Sequence, residues 1–161
     1  MVDENEHHQV ERLTATHRAL AAWAADCAEH VLPLFAAECP GDERPRLAIA
    51  LARAWSRDEV GFSMAAVRQA SLDAHSAARS TEEPAARAAA RAAGHAVAVA
   101  HVPTHAKGAA DYAARAAAAA ASGPASSSDA LRAERDERRW HWQHLPPGLR
   151  DVPFLRRFQP E

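Results

Sequence analysis

Alanine dominates this chain, filling 43 of its 161 positions and forming runs as long as Ala116–Ala121. No residue fits a helix better, because fixing its side chain costs no entropy. Its small size also lets helices pack with close backbones. β-branched residues are sparse and never alternate over a strand-length window, the pattern a half-buried strand needs. Six glycines leave few turns of the kind sheets require. The chain is therefore expected to be all-α, and its length suits one domain.

Prolines and caps divide it. Residues 1–15 are polar, with an acidic start, and are read as a disordered extension. From Thr16 to about Cys39, Leu20, Trp23, Cys27, Val31, Leu34 and Phe35 recur at helical spacing. Pro33 is expected to break or kink this helix near His30, since it lacks an N–H and clashes one turn back. Pro40-Gly41-Asp42 reads as a turn, with Asp42 capping a second helix and Pro45 in its first turn. A third helix is predicted from Ser63 to about Ser80. Thr81-Glu82-Glu83-Pro84 starts a fourth, with Thr81 as its cap, which runs to about His101. Pro103 either kinks that helix or separates a fifth, which ends near Gly123-Pro124. Ser126 to Asp129 caps a sixth, ending near Gln143. The expectation is a single antiparallel bundle of about six helices over residues 16–148, with an irregular tail at 149–161.

Net charge is −2, which disfavours a nucleic-acid partner, as does the lack of a helix-turn-helix pattern. No run of about 18 strongly apolar residues offers a membrane span, and the N-terminus lacks the pattern of a signal peptide. The chain is read as cytoplasmic. Cys27 and Cys39 lie on one predicted helix, about 18 Å apart along its axis. A bridge needs Cα atoms within about 7 Å, so both are expected to be free thiols.

The segment from Gly94 to Ala113 is the richest in chemistry. It carries His95, His101 and His105 among small residues. His101 and His105 share a face if the helix survives Pro103. Two histidines at that spacing can bind zinc, but a site needs a third ligand, and the Glu of a zinc-protease helix is replaced by Val102. No metal or other cofactor is expected. The competing reading is a set of core histidines bonded to their neighbours. His75 and Arg79 are four apart, as are Asp26 and His30. Asp26 could orient the His30 imidazole, or the two could form a simple surface pair. Cys27 reads as a small buried apolar residue unless an acidified thiol faces a pocket. Trp23 and Trp55 read as core, and the charged run at 135–139 as a solvated face.

Several of these stretches resemble a known bacterial family. Trp23 through Phe35, Arg44-Pro45-Arg46-Leu47-Ala48-Ile49 and Arg53-Ala54-Trp55 are similar, in order and spacing, to the opening of the immunity-five-like domain. Ala74-His75 with Arg79 resembles its middle. Gly94-His95, Ala100-His101-Val102, His105, Gly108-Ala109-Ala110 and Tyr112-Ala113 resemble its longest signature. The resemblance spans about residues 18 to 145. It implies a protein that neutralises a toxin by binding it, with Asp26, Cys27, Arg46, Trp55, His75, Arg79, His95, His101 and His105 as the special positions.

Two readings of function stand together. One is a non-catalytic binding protein with a cognate toxin as partner. The other is a small helical enzyme or ligand-binding protein whose His75, Arg79, His95, His101 and His105 converge on one interior pocket. There an anionic or carbonyl-bearing ligand would satisfy the guanidinium and an imidazole together. A homodimer is compatible with either.

Overall fold

The computed structural model describes residues 4–122 and 127–159, with side chains from Leu13 onward. Six α-helices follow one another: α1 (Glu4–Glu38), α2 (Arg44–Ser56), α3 (Met64–Arg79), α4 (Pro84–Ala98), α5 (His105–Ala121) and α6 (Ser127–Gln143). Two short 3₁₀ turns, Pro147–Leu149 and Pro153–Phe158, follow α6. No strand occurs among the described residues, and none of their helices is long and apolar enough to cross a membrane.

Helix α4 is the hub, packing against α1, α2, α3 and α5. Its sequence explains why. Alanines surround it on nearly every side, so 11 of its residues are buried and neighbouring backbones come close. The large core side chains come from elsewhere: Trp23 and Phe35 of α1, Ile49 and Trp55 of α2, and Leu145, Leu149, Leu155 and Phe158 of the C-terminal segment. That tail therefore docks on the body, although it is irregular.

Several boundaries differ from the sequence reading. Helix α1 starts at Glu4, so residues 4–15, read as a disordered extension, are helical; residues 1–3 lie outside the described residues. It also runs through Pro33 to Glu38 without interruption. A proline costs an interior helix one backbone hydrogen bond. Here the buried Val31 and Phe35 on either side hold the helix against the core. The cap of α4 is Glu83, whose carboxylate accepts from Ala86 N at 2.7 Å, while Thr81 Oγ1 accepts from Glu83 N one step earlier. The expected cap of α6 at Ser126 lies outside the described residues. Pro103 separates α4 from α5, because residues 99–104 form turns. Cys27 is buried and Cys39 half-buried, and both are free.

Candidate functional site

Two polar centres sit inside this alanine-rich body. The first joins α3, α4 and α5. His75 of α3 and His95 of α4 meet edge to face at 5.3 Å between ring centroids. His95 and the first residue of α5, His105, share a hydrogen bond of 3.1 Å between their Nδ1 atoms. Tyr112, two turns along α5, stacks on His95 at 5.3 Å. Two helix-interior glycines make the room. A Cβ on Gly94 would lie 2.9 Å from the His75 ring, and one on Gly108 would lie 2.6 Å from His95 Nδ1. Glycine in a helix interior costs about 1 kcal/mol relative to alanine. In a chain this rich in alanine, these two glycines are positions where the missing methyl admits an imidazole.

The seam is neutral. Burial pushes the His95 imidazole down to about 4, with help from His75, His105 and Arg91, against a weak pull from Asp111. His75 is also lowered, first by burial and then by Arg91, Arg79 and His105. His105 is lowered by burial and by His101. Only one proton lies between the two Nδ1 atoms, so one ring donates and the other accepts. His75 Nδ1 is buried without a partner. Ser71 Oγ donates to Gly94 O at 3.0 Å, tying α3 to α4 beside the rings.

The other expected site residues do not all join this centre. His101 is exposed on the α4–α5 turn and shares no helical face with His105. Arg79 is exposed on the last turn of α3. Arg46 is exposed and pairs with Glu43. Trp55 is buried beneath Arg18, which donates to its carbonyl at 2.9 Å. Asp26 pairs with Arg53 at 2.8 Å rather than with His30. Cys27 is fully buried, and burial, then Glu137 and Asp26, raise its thiol well above the ordinary value, so it is no nucleophile.

The second centre was not expected. Glu137 lies within the run read as a solvated face, yet its side chain is 7% exposed. Its carboxylate meets His30 Nδ1 at 2.8 and 2.9 Å and His141 Nε2 at 2.9 Å. Burial alone would raise this carboxyl, but the bonds from His141 and His30 outweigh that and hold it below its ordinary value. His141 is wholly buried, and because the Glu137 carboxylate only accepts, its Nε2 carries the proton while Nδ1 has no partner. Its own carbonyl accepts from Trp23 Nε1 at 2.9 Å. Trp140 lies flat between His30 and His144, with 3.9 Å between centroids on each side. A signal was present: Glu137 and His141 are four residues apart on a helix, as a facing pair requires.

A body that is all-helical among its described residues, with histidine contacts joining its helices, defines a small helical protein built around those contacts. The sequence model of the Imm-5 like putative immunity protein family matches residues 12–147, and the chain belongs to that family. No curated protein and no solved structure matches it.

Proposed function

We propose that this protein neutralises a toxin by direct binding. Membership of an immunity family over residues 12–147 carries the reading. A surface feature supports it. Most of the large apolar side chains left exposed lie between Leu47 and Leu72, among them Leu47 (55%), Phe62 (51%) and Leu72 (54%). They mark the corner made by α2, α3 and the loop between them. An inhibitor needs a few anchors of this type, which become buried only in the complex.

Co-expression with the product of a toxin gene encoded beside this one should restore growth and yield a co-purifying complex. Phe62→Asp should weaken the complex at least about tenfold, because it places a charge where an apolar anchor is buried. Phe62 is half-exposed, so the variant should fold normally. A complex and a growth rescue indifferent to Phe62→Asp and Leu47→Asp would remove this corner from the reading. Absence of any complex would remove the reading itself.

A further inference from the structure

A groove of about 370 Å³ runs between α3 and the α4–α5 turn. Its apolar wall is Met64, Val67, Leu72 and Ala98. Its polar wall is Arg68, Ser71, His101 and His105, so it contains no carboxylate. This volume lies in the range of small-molecule sites, about 300–1,000 Å³.

Three groups in it are positioned to donate. Arg68 is exposed, and it has no ion pair or hydrogen bond among the described residues. This sets it apart from Arg44, Arg53 and Arg138, each held by an acid at 3.1 Å or less. His101 is exposed beside it. His105 spends Nδ1 on His95, while its Nε2 has no bond among the described residues and is not sealed from solvent. Two neutral arrangements of protons satisfy the contact between the Nδ1 atoms, and one of them leaves a donor in the groove. His95 donates from Nδ1 to His105 Nδ1, and His105 then carries its proton on Nε2, available to an acceptor in the groove. In that arrangement the seam behind takes up the Nδ1 of the ring in front and leaves its Nε2–H for an acceptor in the groove.

We propose that the groove between α3 and the α4–α5 turn binds a small organic acid with an apolar body, its carboxylate held by Arg68, His101 and the Nε2–H of His105. The planar guanidinium suits a carboxylate, which takes two parallel bonds. The body would cover Met64 and Leu72, which are 42% and 54% exposed in the free protein. A cation finds no counter-charge in the lining, and a neutral alcohol leaves Arg68 unused. Arg79, at the other end of α3, takes no part. The acid is a ligand separate from the toxin, and the groove meets the toxin-facing corner at Leu72.

The test uses 4-phenylbutyrate, 4-phenylbutanol and 4-phenylbutylamine against the intact chain, followed by calorimetry and by histidine and methionine NMR signals. The acid should bind, shift the His101, His105 and Met64 resonances, and fix His105 as the Nε2–H tautomer. The alcohol should bind at least about tenfold more weakly, and the amine more weakly still. Arg68→Gln should cost the acid about tenfold in affinity at unchanged melting temperature, and Arg79→Gln should cost nothing. Equal affinity for acid and amine would overturn the proposal, as would an Arg68→Gln variant that binds like the parent. So would no binding of the acid at millimolar concentration. A parent chain that binds no acid yet rescues growth would remove this site alone.

Discussion

The chain gathers imidazoles in two places and treats them in opposite ways. Between α3, α4 and α5, His75, His95 and His105 face one another, and each is pushed toward its neutral form. Beneath α6, His30 and His141 both face the carboxylate of Glu137, which is held ionised. The first centre works by shape: two glycines admit the rings, and one shared proton links His95 to His105. The second works by charge: one anion accepts from donors on two helices that are 107 residues apart in sequence at their contact. A histidine in this protein is thus a packing element or a counter-group according to whether a carboxylate reaches it. The two centres should respond differently to mutation and to pH.

The largest effect is expected where the anion is removed. Glu137→Ala leaves two imidazole donors without an acceptor, one of them on a fully buried ring. Stripping one partner from such a buried cluster costs about 3 kcal/mol. Urea unfolding at neutral pH measures it. Glu137→Gln, which keeps one acceptor oxygen, should lose less. Equal losses for the two variants would show that the side chain acts by filling space, and the contrast between the centres would collapse.

The matching change in the first centre adds a methyl. Gly108→Ala places a Cβ 2.6 Å from His95 Nδ1 and 2.9 Å from its Cγ. The ring must move, which breaks its bond to His105. Overpacking of this kind costs about 1–3 kcal/mol, partly offset by about 1 kcal/mol of helix propensity. The net expectation is a loss of up to about 2 kcal/mol, relieved when His95→Ala is combined with it. An additive double variant would mean that the glycine serves something other than the ring.

A smaller effect, spread over pH, sharpens the comparison. His95 titrates near 4 in the folded chain, and its ordinary value is 6.5. Between those values the unfolded chain binds a proton that the folded chain refuses, so unfolding is favoured as pH falls. The seam's contribution is therefore complete above 6.5, declines toward about 4 and levels off below it. His75 and His105, shifted in the same direction, add to the upper part of that slope. Glu137 is also lowered, from 4.5, so its contribution holds above that value and is lost only in stronger acid. Stability measured from pH 7 to pH 3 should decline in two stages. His95→Gln should flatten the first stage and leave the second. A first stage unchanged by that substitution would place its origin elsewhere.

The helices were legible in the sequence because alanine, proline and the capping residues each act locally. His75 with His95 and His105 could be suspected because they stand out among small neighbours. What could not be read was which helix each ring would face. His101 and His105 share a face only on an unbroken helix, and Pro103 ends that possibility. Arg79 and Arg68 both sit on α3, eleven positions apart, and only the packing of α3 on α4 says which end carries the groove. Glu137 was masked by its company: four arginines and two other acids lie between Arg132 and Arg139, and such a run is most simply solvent-facing. Its burial follows from the approach of α1, a contact between residues more than a hundred positions apart.

The smallest predicted effect separates the local reading of His30 from the tertiary one. Asp26 and His30 are four apart on α1, the spacing of a helix-surface pair. In the folded chain Asp26 instead meets Arg53 of α2 at 2.8 Å, and His30 turns to Glu137. Arg53 also pairs with Glu29, so removing Asp26 leaves the guanidinium a partner. An exposed pair of this kind contributes about 0.2–1 kcal/mol, and the remaining partner reduces that further. Asp26→Asn should therefore change stability by less than about 0.5 kcal/mol. It should also leave the NMR signals of the His30 ring where they were, whereas Glu137→Gln should move them, because the ring then loses a carboxylate partner at 2.8 Å. If Asp26→Asn moved those signals as far as Glu137→Gln does, His30 would answer to its helical neighbour after all, and the second centre would reduce to a Glu137–His141 pair on α6.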